Sequence, residues 1–165
     1  SEDKQIKVLF VCLGNICRSP TADGVLRTMV KKHGVASKIY VDSCGTAGYH
    51  IGDEPDDRTQ KHALKRGYDL SELRARQLST HDYKEFDIIL AADANNLSVL
   101  KSRCPDSVYL QKLRLITDFL PANTRFAGAT EVPDPYYSGA KEFEQVVDMC
   151  EEACGNLLSI IMAHK

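Results

Sequence analysis

The sequence predicts an α/β fold, a single three-layer α/β/α domain with a four-stranded parallel sheet. Three observations point there. Short β-prone runs alternate with helical stretches along the 165 residues. The first run, Val8-Leu9-Phe10-Val11, is apolar on both faces, as a strand in the middle of a parallel sheet must be. That run passes straight into a tight loop that closes where a helix begins. Such an order implies parallel strands joined by right-handed crossovers.

Taken in order, the first strand covers residues 6–12. The first helix, near 20–33, is announced by Ser19-Pro20-Thr21-Ala22-Asp23, which reads as an N-cap, a proline at the first helical position and an acid in the first turn. Further strands fall near 38–43, 87–92 and 112–117, and helices near 56–66, 94–103 and 140–163. On the last helix Phe143, Val146, Val147, Cys150, Cys154, Leu157, Leu158 and Ile161 form one apolar face, which makes both cysteines core residues. No linker or low-complexity stretch interrupts the pattern, so residues 1–165 read as one domain.

The loop between the first strand and the first helix carries the chemistry. It starts on Cys12 and closes on Arg18. Over that span consecutive backbone N–H groups can turn inward as a nest around a tetrahedral oxyanion, with sulfur beneath and the Arg18 guanidinium gripping two oxygens from the side. Gly14 and Asn15 are the residues that best tolerate the positive φ such a loop needs. The positive end of the helix dipole adds to the amides, and the Ser19 hydroxyl is in place to donate to sulfur. Both effects favour the thiolate, so Cys12 is expected to be nucleophilic at neutral pH without a histidine base. Leu13 and Ile16 are expected to project outward as apolar lips. The reaction this suggests is phosphate-ester cleavage through a cysteinyl phosphate.

Composition bounds the rest. A formal charge of −2 and the lack of any Lys/Arg run argue against a nucleic-acid partner. No stretch approaches the roughly 18 apolar residues of a membrane helix. The N-terminal Ser-Glu-Asp-Lys lacks the hydrophobic region of a signal peptide, so a cytoplasmic protein is expected. Six cysteines stand at 12, 17, 44, 104, 150 and 154 with no Cys-x2-Cys pair, which predicts free thiols and no metal site. No cofactor is expected. His33, His62, His81 and His164 fall near helix ends or polar faces and are assigned no chemistry.

The run Val11-Cys12-Leu13-Gly14-Asn15-Ile16-Cys17-Arg18-Ser19-Pro20, with Asp134-Pro135-Tyr136-Tyr137 far downstream, resembles the low-molecular-weight protein tyrosine phosphatases. Asp42-Ser43-x-Gly45-Thr46, Pro55-Asp56-x-Arg58, Ala75-Arg76-Gln77 and a strand from Phe86-Asp87 to Asp93 extend the likeness over nearly the whole chain. The resemblance implies a doubly wound fold, Cys12 as nucleophile, Arg18 as phosphate clamp and Asp134 as general acid. It implies phosphate binding by the loop residues Leu13, Gly14, Asn15, Ile16, Cys17, Arg18 and Ser19, with Asn15, Ser19, Ser43 and Asp93 in support. Tyr49, His50, Tyr136 and Tyr137, with Leu13 and Ile16, would wall a slot deep enough for phosphotyrosine and too deep for phosphoserine. A monomer is implied, with tyrosine-phosphorylated proteins as substrates and inorganic phosphate as product and inhibitor. The paired tyrosines can themselves be phosphorylated in this family. Cys17 is implied to trap oxidised Cys12 as a reversible disulfide, with Cys44 as a competing partner.

The chain departs from the family pattern in three places. Leu73 stands where a histidine commonly supports the loop asparagine, Cys44 stands where alanine is common, and the segment from Phe119 to Glu131 is longer than usual. The rival readings are an arsenate reductase of the same fold, a phosphoarginine phosphatase and a non-catalytic phosphate-binding module. A reductase relay needs a close cysteine pair after the third strand, where only Cys104 is found. Relatives that prefer phosphoarginine carry a small polar residue in place of Ile16, and a binding module would have lost the nucleophile or the acid.

Overall fold

A computed structural model describes residues 4–164. Ser1 to Asp3, part of the stretch read above for a leader, and Lys165 lie outside the described residues. Four parallel strands, β1 (Ile6–Cys12), β2 (Ile39–Gly45), β3 (Ile88–Ala91) and β4 (Leu113–Leu115), form one sheet in the order β2-β1-β3-β4. The helices are α1 (Arg18–Lys32), α2 (Asp57–Lys65), α3 (Thr80–Glu85), α4 (Ala94–Ser102) and α5 (Ala140–Ala163). The strand order reverses at β1, so the loop leaving its carboxyl end opens onto the crevice where open α/β sheets bind ligands.

The period-two alternation of β1 divides the core between two layers. Val8, Phe10 and Cys12 face one side with α1 and α5 residues such as Leu26, Val147 and Leu157. Leu9 and Val11 face the other side with Tyr83 and Phe86 from the α3 region and Leu100 from α4. Every residue of the expected apolar face on α5 is buried, Cys150 and Cys154 included. At roughly 1.5–3 kcal/mol for each large apolar side chain buried, this face alone is a major share of what holds α5 to the sheet.

Several expectations are corrected. Helix α1 begins at Arg18, so Ser19 lies inside the first turn and does not cap it; no side chain does. Pro20 is still harmless there, because first-turn N–H groups have no helical partner. Asp23 is not a first-turn acid but a fully buried residue in the body of α1, paired with Arg27. Helix α3 was not foreseen; Ser79 and Asp82 start it through a reciprocal capping box. Strand β4 is shorter than expected, because a 3-10 turn (Ile116–Phe119) takes over after Leu115. His62 does lie in the last turn of α2, but it is buried, stacked on Phe143 with ring centroids 5.7 Å apart, and bonded to Glu144 at 2.5 Å.

Candidate active site

Residues 12–18 wrap the carboxyl end of β1, and the carbonyls of Cys12, Leu13, Ile16 and Cys17 are tied to neighbouring groups. Thr46 N–H donates to Cys12 O at 2.9 Å, Ala47 N–H to Leu13 O at 3.0 Å, and Asp56 N–H to Ile16 O at 2.8 Å. Thr21 donates to Cys17 O through its hydroxyl at 2.7 Å. With the carbonyls held by the neighbouring loops, the N–H groups of residues 13–17 take no acceptor in the described chain and are free for an oxyanion. Two glycines make this close packing possible. A Cβ on Gly45 would lie 2.7 Å from Leu13 O, and one on Gly14 would meet the His50 ring at 3.1 Å.

Asn15 is the one non-glycine residue with positive φ among those described, at 60°. Its side chain is what holds it there. The Arg76 backbone N–H, which can only donate, bonds to Asn15 Oδ1 at 3.0 Å and so fixes which way the amide faces. The amide nitrogen then donates to Ser19 Oγ at 2.8 Å and Ser43 Oγ at 3.0 Å. Leu73, which stands where the family commonly carries a histidine, packs against the apolar core instead, and Asn15 is held without one. Ser19 Oγ accepts from Asn15, so its one proton can go to the Cys12 sulfur 3.0 Å away or to Cys44 O at 3.4 Å, and the Ser19 backbone N–H also points to the sulfur, at 3.5 Å. Both donors favour a negative sulfur.

Arg18 is buried beside this sulfur. Its Nη1 is held by Asp93 Oδ2 at 2.7 Å and Val132 O at 3.1 Å, and its Nη2 lies 3.8 Å from Asp134 Oδ2. Burial opposes its charge, but the Cys12 sulfur and the Asp93 carboxylate outweigh that, and the guanidinium is held above its ordinary value. Asp93 works in two directions, because its other oxygen caps α4 through Asn96 N–H at 2.8 Å. Val132 is a contributor that sequence reasoning missed. Its carbonyl meets Arg18 and its N–H bonds to Ala92 O at 2.8 Å, which anchors the chain two residues before Asp134 to the end of β3.

Above the loop lies a cleft of about 250 Å³ whose lining includes Cys12, Leu13, Ile16, Arg18, Tyr49, His50, Asp134, Tyr136 and Tyr137. The structure thus brings together every residue expected to wall the slot. Ile16 is corrected in one respect: it lines the cleft but is buried against Cys17, Ala75 and Phe143, and only Leu13 is an exposed lip. Tyr136 and Tyr137 meet edge to face, 4.9 Å between centroids. Arg58, whose role the sequence did not disclose, lies over the rings of Tyr136 and Phe143 at 5.2 and 4.7 Å while Asp56 grips it from below. Its place in the Pro55-Asp56-x-Arg58 motif was the available signal.

The cysteines divide cleanly. Burial pushes the Cys17 thiol up to about 12. Cys44 cannot compete for Cys12 as expected, because β2 pairs it with Val11 and it faces the opposite side of the sheet. Burial pushes its thiol up as well.

Comparison with known proteins agrees along the length of the chain. A family model described as low molecular weight phosphotyrosine protein phosphatase matches residues 7–165. A putative low molecular weight protein-tyrosine-phosphatase of Synechocystis is 46% identical over 154 residues, covering 93% of this chain and 95% of the relative. The human low molecular weight phosphotyrosine protein phosphatase is 36% identical, with 93% and 94% covered. The crystal structure of an Entamoeba histolytica protein tyrosine phosphatase with Hepes in its active site superposes with a TM-score of 0.90 at 41% identity, covering 97% of this chain and 99% of that one.

Proposed function

As a protein tyrosine phosphatase, for the chain belongs to the low molecular weight phosphotyrosine protein phosphatase family, it needs a nucleophile, a clamp and an acid, and we propose Cys12, Arg18 and Asp134 for these roles. The observation that carries the reading is that the N–H groups of residues 13–17 take no acceptor in the described chain, while the Ser19 hydroxyl and N–H meet the Cys12 sulfur at their edge. The sulfur attacks phosphorus, the bond from phosphorus to the phenolic oxygen breaks, and Asp134 passes its proton to that oxygen. The phenoxide leaving group has a conjugate acid near pKa 10, so this proton contributes about 10²- to 10⁴-fold. Asp134, now a carboxylate, takes a proton from water as the water oxygen attacks the phosphocysteine. The P–S bond breaks, orthophosphate departs and the thiolate returns, with the Ser19 hydroxyl donating to it.

Arg18 and the amides of residues 13–17 hold the equatorial oxygens, where donors placed beforehand stabilise developing charge, while the Ser19 N–H serves the sulfur. Asn15, Ser43 and Asp93 keep these groups in position. The aromatic walls formed by Tyr49, His50, Tyr136 and Tyr137 suit a flat phenyl ring, and the apolar Ile16 beneath them speaks against phosphoarginine. The protein acts as a cytoplasmic monomer on tyrosine-phosphorylated proteins, and inorganic phosphate competes for the loop. Among the described residues no helix is long and apolar enough to cross a membrane. Peroxide converts the Cys12 thiolate to a sulfenic acid, and attack by Cys17 sulfur then expels water and forms a disulfide.

The test is phosphate release from phosphotyrosine, phosphoserine and phosphoarginine peptides, with arsenate reduction in parallel. Wild-type protein is expected to turn over phosphotyrosine peptides in EDTA, and Cys12→Ser to be inactive. Turnover that survives Cys12→Ser would overturn the mechanism, and preferred release from phosphoarginine would overturn the substrate.

A further inference from the structure

Helix α2 presents two residues to the start of α5 that the proposed chemistry leaves unused. Arg58 and His62 stand four positions apart on α2 and so share a face. The ring of Phe143 lies against both. The Arg58 guanidinium carbon is 4.7 Å from its centroid, and the His62 ring stacks on it, 12° from parallel with centroids 5.7 Å apart. Each of the two is also held by an acid. Asp56 takes Nε and Nη2 of Arg58 at 3.0 and 2.8 Å, and His62 Nδ1 meets Glu144, the residue after Phe143, at 2.5 Å. The Glu144 carboxyl is held below its ordinary value, by His62 first, so it is ionised and can only accept; the proton is on Nδ1. Phe143 is buried, yet it packs in a cluster of four residues under the phosphate loop, with Ile16, Cys17 and Ala75, and not in the main core. None of those three neighbours offers a flat surface, and His62 does.

The wall of the cleft rests on this assembly. The Arg58 guanidinium carbon is also 5.2 Å from the centroid of Tyr136, so the group lies against both rings. Asp56 grips it by its edges, which leaves its faces to be set by the rings. The other aromatic neighbour of Tyr136 is Tyr137, which is 94% exposed and gives no firm support. Tyr136 N–H in turn donates to Asp134 Oδ1 at 3.1 Å. We propose that His62 is a positioning residue for the acid: its ring, fixed by Glu144, sets the plane of Phe143, against which Arg58 and then Tyr136 rest, and Tyr136 N–H holds the Asp134 carboxyl in the cleft. This rests on the reading of Asp134 as general acid given above. The acid-bearing segment is then tied at both ends. Val132 joins it to β3 on one side, and on the other only Ser138 and Gly139 separate Tyr137 from the first residue of α5, the helix that His62 holds against α2. The phosphate loop keeps its own ties through the N–H groups of Thr46, Ala47 and Asp56, so its grip on phosphate is spared.

His62→Leu removes both the flat ring and the donor while keeping similar bulk. The measurement is the slope of kcat against leaving-group pKa over a series of aryl phosphates, which a loss of folded protein would leave unchanged. His62→Leu is expected to lower kcat on phosphotyrosine about 2- to 5-fold, the scale of one aromatic contact, and to change it less than about twofold on an aryl phosphate with an acidic leaving group. Inhibition by inorganic phosphate is expected to stay as in wild type. His62→Phe keeps the ring without the donor, leaves Glu144 with Lys65 and Arg66, and is expected to restore most of the loss. His62→Gln keeps a donor to Glu144 without the ring, and is expected to behave as His62→Leu does; it carries the same test if His62→Leu does not fold. In an Arg58→Ala background, where the assembly is already cut, His62→Leu is expected to steepen the slope no further. A slope unmoved in both His62→Leu and His62→Gln, rescue by His62→Gln in place of His62→Phe, or an effect that adds fully to that of Arg58→Ala would overturn the proposal. If Asp134→Asn itself lowers kcat equally on all leaving groups, the reading of the acid fails instead, and that control tells the two failures apart.

Discussion

The floor of the cleft and its far wall are built by opposite strategies. In the floor, Asn15, Arg18 and Ser19 are buried, and their side chains are held by neighbours from β2, β3 and the segments around Val132 and Arg76. In the wall, Asp134 is 47% exposed and Tyr137 is 94% exposed, and the local polar contact of the acid is the Tyr136 N–H at 3.1 Å. Val132 anchors the near end of that wall to β3, Pro133 and Pro135 stiffen it, and Arg58 clips Tyr136. The difference matches the two tasks proposed for them. Charge stabilisation needs dipoles fixed beforehand, whereas a proton donor must admit a bulky phosphoprotein and then close on it.

This contrast can be broken from either side. On the wall, Asp134→Asn is expected to lower kcat on phosphotyrosine by about 10²-fold or more and far less on an aryl phosphate with an acidic leaving group, measured as the slope of rate against leaving-group pKa. An equal loss on all leaving groups would place Asp134 outside proton transfer. On the floor, Gly45→Ala pushes a methyl group into Leu13 O and to within 3.1 Å of Asn15 N. Its expected effect is a loss of about 10- to 100-fold together with weaker inhibition by inorganic phosphate, because the amide ring itself is displaced.

Smaller changes sharpen the comparison. Arg58→Ala removes a partly exposed cation–π contact with the Tyr136 ring. It should cost roughly 2- to 5-fold in kcat/KM on peptides while phosphate affinity stays unchanged, since the clip touches the wall and not the floor.

Further from the site, Arg66 gathers Glu144, Asp148 and Glu151 from α5 at 3.0, 2.6 and 2.6 Å. These side chains are roughly a quarter to a third exposed, so solvent screening keeps the network modest. Arg66→Ala is expected to lower Tm by a few degrees with activity retained. His62 first, then Lys65 and Arg66, hold the Glu144 carboxyl below its ordinary 4.5. A lowered acid adds stability that is complete above 4.5 and is lost as pH falls through the folded value, so the Tm gap between wild type and Arg66→Ala should narrow in that acid window. A gap that widens on acidification would contradict the assignment.

How much was legible in advance differs between the two regions. The floor is local in sequence: one strand, one loop and one helix start hold the sulfur, the positive-φ asparagine and the arginine within seven consecutive residues, and backbone chemistry dictates most of their arrangement. The partners of that loop were legible only as types. That Asn15 leans on Arg76 N–H, that Val132 anchors Arg18, and that Arg58 clips Tyr136 depend on which loops meet at the carboxyl edge of the sheet. Ser19 shows how local signals mislead: it has the chemistry of a helix cap, yet tertiary packing turns its hydroxyl to Asn15 and Cys12.

The chain by itself therefore determined the layered fold and the strand that leads into the loop from Cys12 to Arg18, because period and turn preferences act over a few residues. Only the folded molecule decided which face of the sheet each cysteine occupies, that Ile16 is wall and core at once, and how the polarity of one amide is set from residues tens of positions away. Hydrogen-bond direction depends on every neighbour of a buried group, and those neighbours are chosen by packing.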